Sequence, residues 1–266
     1  MSHTTLNKGR LATVRNEHEF IFLCMKRSGS NAIMNWVIHH FPDGSVHLLN
    51  TDPKTFALKP EVFKKKQEQS IFNYGMYQLS FDTNPYCNKK CLITRYEEVE
   101  LTTDNIDRIE SHNYGVSDNR LYVVPIRDPY NMTASRLHYK NMNIDAKYKR
   151  MMIQYYSYYL KIKEVIKNVV FINFNFWFKY ECYRRDYANM LGLNFTDKGL
   201  HNIPKYGIGS SFDGMKYNGK AQSMNVLNRW KTYLYHDGWR KICFDEEIQK
   251  LSESIWGNDE FLKYVE

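Results

Sequence analysis

No stretch of this 266-residue sequence approaches the ~18 consecutive apolar residues that a membrane span requires, so a transmembrane protein is not expected. The amino-terminal segment MSHTTLNKGRLATVRNEHEF has no apolar h-region and no small-residue cleavage site. That argues against a secretory signal and makes the cytoplasm the expected compartment. Cysteine is sparse: Cys24, Cys87, Cys91, Cys182 and Cys243 are odd in number and scattered, which fits a reducing environment rather than a disulfide framework. Cys87 and Cys91 stand four apart, but no second Cys or His pair at ligand spacing follows, so no metal site is expected. The Asn131-Met132-Thr133 triplet fits a glycosylation sequon, but without a secretory route it reads as chance. Internal repeats and low-complexity linkers are absent as well, which predicts one domain over residues 1–266.

What is present is an apolar content of 43%, enough for a sizeable core, and a formal net charge of +8. The charge biases the surface toward anionic partners such as a phosphorylated nucleotide, an acidic glycan, anionic lipid or nucleic acid, and does not choose among them. Four short apolar runs, Phe20–Cys24, Cys91–Thr94, Leu121–Ile126 and Val169–Phe174, have the length and composition of buried strands. Helical patterns separate them. Asn31–Phe41 places Ile33, Trp36, Val37 and His40 on one face, a second helix starts at Pro129 and runs to about Tyr139, and Ala146–Lys167 reads as a third.

Alternating strands and helices predict an α/β fold: a three-layer parallel sheet with helices on both faces and ligands at the carboxyl ends of the strands. The polar segments Thr51–Thr83 and Tyr114–Asn119 are expected as loops over such a site. The tyrosines Tyr148, Tyr155, Tyr156, Tyr158 and Tyr159 read as core with polar tips in preference to an aromatic platform.

Two segments carry anion chemistry. In FIFLCMKRSGSN (Phe20–Asn31) a buried strand runs into a basic turn and then a helix. Gly29 permits close backbone approach to an anion, Ser28, Ser30 and the helix's first N–H groups donate to it, and Lys26 and Arg27 supply countercharge. The turn is not a GxxxxGK[ST] loop, which disfavours ATP hydrolysis. In LYVVPIRDPYNMTAS (Leu121–Ser135) a strand ends at Arg127, whose forked guanidinium can bind a phosphate bidentately; Asp128 is its alternative partner. Ser135 follows about two helical turns later.

Together these segments resemble the sulfotransferases that use 3′-phosphoadenosine 5′-phosphosulfate (PAPS). In the cytosolic members the 5′-phosphosulfate loop reads KSGTTW. Here RSGSNA stands in that register, similar to the carbohydrate-sulfotransferase form, with Arg27 at the place of the family's lysine and Ala32 at that of its aromatic. The family's 3′-phosphate arginine and the serine eight positions later are matched by Arg127 and Ser135. SSFDGMKYN (Ser210–Asn218) is similar to the family's adenine segment TSFxxMKxN, which implies that Ser210 and Phe212 hold the base. Val169–Leu193 resembles the strand and helix preceding that segment, although its usual acidic dipeptide is missing. The resemblance runs from Phe20 to about Trp230 and implies a P-loop-like nucleotide-binding fold. The family's RKGxxG loop is absent, and Arg229 is the preferred substitute, with Lys220 second.

By this resemblance the chain is a PAPS-dependent sulfotransferase releasing 3′,5′-ADP, with no metal required. Arg27, helped by Lys26 and the Ser28–Asn31 backbone, stabilises charge on the leaving phosphate oxygen. Glu97 is the expected base for an acceptor hydroxyl or amine, with Glu98 second and His112 and His138 as alternatives. The acceptor, a small molecule, glycan, lipid or peptide, is left open, as is the oligomeric state. The rival readings are a P-loop-type kinase and a non-catalytic nucleotide- or RNA-binding protein.

Overall fold

The computed structural model describes residues 15–42, 45–51, 89–110, 116–139, 142–161, 166–204, 210 and 212–257. Five parallel strands, β1 (Arg15–Cys24), β2 (Val46–Thr51), β3 (Lys89–Glu97), β4 (Val116–Ile126) and β5 (Val169–Asn173), form one sheet in the order β2-β3-β1-β4-β5. The helices are α1 (Ser30–Ile38), α2 (Thr103–Glu110), α3 (Pro129–His138), α4 (Ala146–Tyr159), α5 (Phe174–Lys179), α6 (Glu181–Met190), α7 (Asp237–Cys243) and α8 (Glu246–Trp256). None of them is long and apolar enough to cross a membrane, a statement about the described residues.

Because successive strand residues point to opposite faces, the uninterrupted apolar runs of the central strands feed two cores. Phe20, Phe22, Ile93, Val123 and Ile172 pack with Trp36 of α1, Trp177 of α5 and Tyr187 of α6. Ile21, Leu23, Tyr122, Val124 and Ile126 pack on the other side with Ile106 of α2, Met152 of α4 and Ile248 of α8. Helices therefore cover both faces, as the alternating pattern predicts.

Several expectations needed correction. β1 starts five residues before the apolar run, because its first half is polar and partly exposed at the sheet's end. Val116–Asn119, read as loop, belongs to β4, where it pairs with Arg15–His18 of β1. β2 was not anticipated, and it is an edge strand paired only with β3. The Ala146 helix ends at Tyr159, and Lys161 then takes a left-handed φ of 58°. The tyrosines of α4 are core: Tyr155, Tyr156 and Tyr158 donate to the carbonyls of Val99, Arg127 and Leu101. Most of Thr51–Thr83, together with Cys87 and His112, lies outside the described residues.

The connections decide where a ligand fits. From β1 the chain leaves through α1 toward β2 on one side of the sheet, and from the adjacent β4 it leaves through α3 and α4 toward β5 on the other. Adjacent parallel strands whose connections part in this way leave a crevice at their carboxyl ends. The segments that follow these two strands are the ones carrying Arg27 and Arg127.

Candidate active site

After Cys24 the chain turns sharply, the Ser28 N–H donating to the Met25 carbonyl at 3.2 Å. Arg27 takes a φ of 74°, which costs a non-glycine residue strain of order 1–3 kcal/mol. Gly29, at φ 87°, is the residue that precedes and caps α1. Glycine is required there for space as well as conformation, because a Cβ would lie 2.1 Å from Cδ2 of the Phe174 ring. A carboxylate clamps this turn from the next strand: Glu98 accepts the Lys26 N–H at 2.8 Å and is held by both terminal nitrogens of Arg136 at 3.0 and 3.1 Å.

At the end of β4, Arg127 is buried and donates to the carbonyls of Arg27 at 3.1 Å and Val226 at 2.6 Å, with its guanidinium over the Phe174 ring. Asp128, its anticipated alternative partner, instead caps α3 by accepting the Asn131 N–H at 2.7 Å. Burial, opposed by Asp128 and assisted by repulsion from Arg229 and Arg27, pushes the Arg127 pKa down to about 10, so it remains a cation at neutral pH. Asn131 is a buried pin, its carboxamide donating to the Leu227 carbonyl and accepting the Arg229 N–H, which agrees with reading the sequon as chance.

Arg229 reaches the same region from the other side. Its guanidinium binds Asp213 at 2.7 Å and Ser210 at 2.8 Å and lies over the Phe212 ring. Burial lowers its pKa while Asp213 opposes that shift.

These segments enclose a cavity of about 320 Å³, within the usual range for small-molecule sites of roughly 300–1,000 Å³. Of the anticipated residues, Lys26, Arg27, Gly29, Ser30, Asn31, Glu97, Arg127, Ser135, Ser210 and Arg229 all border it. Nε and Nη2 of Arg27 and Nε of Arg127 are buried with no hydrogen-bond partner among the described residues. A buried charge is costly unless paired, so the cavity is built for a group that brings negative charge to it. The orphaned donors thus fit the phosphates of a nucleotide.

Other anticipated residues are placed elsewhere. Ser28 is buried beneath the loop and does not border the cavity. Phe212 does not border it either: its ring is stacked on His138 with centroids 4.0 Å apart. His138 is further engaged by the Tyr233 hydroxyl at 3.0 Å, a structural histidine away from the cavity. Glu98 is occupied by Arg136 and Lys26, which removes it as a base. Lys220 is likewise absent from the cavity wall, leaving Arg229 as the one of the two proposed substitutes that reaches it.

The sequence reading missed Tyr139, whose ring carries the Arg27 guanidinium at 4.3 Å. It also missed the apolar wall of Phe174, Trp177 and Phe178. The rule that strand ends carry ligands would have found Phe174, the residue immediately after β5. Arg95 borders the cavity too, 3.5 Å from Glu97 and hydrogen-bonded to Asn31.

No protein-family model matches the chain, and no curated protein does. Among solved structures, it is similar to the sulfotransferase domain of the Synechococcus PCC 7002 olefin synthase, with 12% identity, 92% of this chain and 97% of that chain covered, and a TM-score of 0.52. It is also similar to the sulfotransferase domain from the curacin biosynthetic pathway, with 15% identity, 92% and 98% covered, and a TM-score of 0.51. The chain therefore has the α/β fold of sulfotransferase domains.

Proposed function

We propose that the chain is a PAPS-dependent sulfotransferase that moves a sulfuryl group to a hydroxyl or amine and releases 3′,5′-ADP. The observation that carries this reading is the meeting of Arg27, Arg127 and Arg229 on one cavity at the sheet's switch point, with buried donors of the first two unpaired. Arg127, Ser135 and Arg229 would hold the 3′-phosphate, and Lys26, Arg27, Ser30 and Asn31 the 5′-phosphosulfate. Phe174, Trp177 and Phe178 would supply the apolar surface for adenine, taking over from the aromatic that Ala32 replaces. PAPS, when bound, supplies an activated sulfuryl group on its 5′-phosphate.

The chain's own residues then have separable tasks. Arg27 keeps its proton at neutral pH, so it stabilises developing negative charge by electrostatics and hydrogen bonding and is not an acid catalyst. Glu97 borders the same cavity and would accept the acceptor's proton, with Arg95 at 3.5 Å fixing its position at some cost in basicity. A cavity that gathers its cations inward favours a small, highly charged anion over the extended basic surface expected of an RNA-binding protein.

The test is thermal unfolding with 3′,5′-ADP, 5′-AMP and ATP, each with and without magnesium. Specific binding raises Tm by mass action, and 3′,5′-ADP is expected to give the largest, magnesium-independent shift. Equal shifts from 5′-AMP would remove the 3′-phosphate site, and a magnesium-dependent preference for ATP would favour a kinase.

A further inference from the structure

Arg27 stands where the family resemblance places a lysine. Among the described residues its side chain makes no hydrogen bond or ion pair, and two of its three guanidinium nitrogens are buried without a partner. The Arg27 guanidinium carbon lies over the ring of Tyr139, 4.3 Å from its centre; this tyrosine follows α3 at the cavity's edge and is 40% exposed. We infer that Tyr139 is the positioning residue for Arg27, holding the guanidinium flat so that its in-plane N–H donors are left for an anion in the cavity. The inference rests on the proposed role of Arg27.

The geometry that brings the pair together comes from one carboxylate. Glu98 binds the Lys26 N–H on the loop that carries Arg27. It also binds Arg136, whose carbonyl accepts the Tyr139 N–H at 3.3 Å. The loop and the backbone of Tyr139 are thus held by the same clamp, which brings the two side chains within reach of each other. A guanidinium suits the arrangement because it is planar: a face stacked on an aromatic leaves all its donors directed outward. An ammonium has no such plane, which gives a physical reason for arginine at this position.

Calorimetric titration of PAPS into a double-mutant cycle tests this without knowledge of the acceptor. Tyr139→Leu is expected to weaken PAPS binding about fivefold, and Tyr139→Phe, which keeps the ring, to stay within about twofold of wild type. In an Arg27→Ala background, Tyr139→Leu should change affinity by less than about twofold, because the group it positions is gone. Equal losses in both backgrounds, or no loss in the first, would overturn the inference while leaving the proposed function standing. A wild-type protein that binds neither PAPS nor 3′,5′-ADP would instead sink both, an outcome the same titrations distinguish.

Discussion

Arg127 and Arg27 follow the carboxyl ends of two adjacent parallel strands and border one cavity, but Arg127 donates to two backbone carbonyls whereas Arg27 rests on an aromatic ring. Carbonyls fix a guanidinium without cancelling its charge. Arg127 is therefore a preorganised cation, tied to the very loop that presents Arg27, its position fixed before any ligand arrives and only its Nε left unpaired among the described residues. Arg27 sits on strained backbone with donors left over, so its contribution is fully expressed only when an anion reaches it. In the proposed reaction this matches the two ends of the nucleotide. The 3′-phosphate keeps its charge throughout and needs an anchor; the 5′ end gains charge as the sulfuryl group leaves and needs a donor that has not been spent on the protein.

The largest effect is expected from Arg127→Ala. It removes two charge-assisted hydrogen bonds, each worth about 1.5–3 kcal/mol, and the gain from deleting a buried charge offsets only part of that loss. A net cost near 2 kcal/mol corresponds to a fall in Tm of about 5 °C for a chain of this size, together with loss of the 3′,5′-ADP response. Arg27→Ala should separate these two readouts. PAPS affinity is expected to fall roughly 30-fold, the worth of one charged hydrogen bond, while Tm stays within about 1 °C because no hydrogen-bonded or ion-paired partner among the described residues is lost. A drop in Tm like that of Arg127→Ala would show that Arg27 is as much a part of the scaffold as its neighbour and would break the contrast.

The same contrast explains what could be read without coordinates. The central strands were legible because both of their faces are covered: Phe22 and Val123 pack on one side and Leu23 and Val124 on the other, which makes continuous apolar runs. The polar beginnings of β1 and β4 were not, since pairing with a neighbour, and not an apolar run, makes them strands, and neither was the short edge strand β2. Arg27, Gly29, Arg127 and Ser135 were legible because loop and strand-end geometry is local. Partner choice is tertiary and was hidden: nothing in the chain order tells Glu98 to clamp Arg136, Phe212 to stack on His138, or Tyr139 to support Arg27. Residues whose role is to hold another side chain carry no spacing signal of their own.

The smallest and most discriminating change is lysine for arginine at each position. A lysine at 127 has one ammonium for two carbonyls that lie on different segments, so it should keep part of the charge while giving up one of the two bonds, with a loss of about 1 kcal/mol in stability. At position 27 the described residues make no such bond. Arg27→Lys should leave Tm unchanged and weaken PAPS only about threefold, because a compact point charge still neutralises a phosphate. The measurement is the pair of melting curves and PAPS titrations side by side. If Arg27→Lys instead weakens PAPS as severely as Arg27→Ala, charge alone is not what the loop contributes. The planar fork and the tyrosine beneath it would then be the essential parts, and Arg27 would have to be regarded as positioned by its ring as tightly as Arg127 is by its carbonyls.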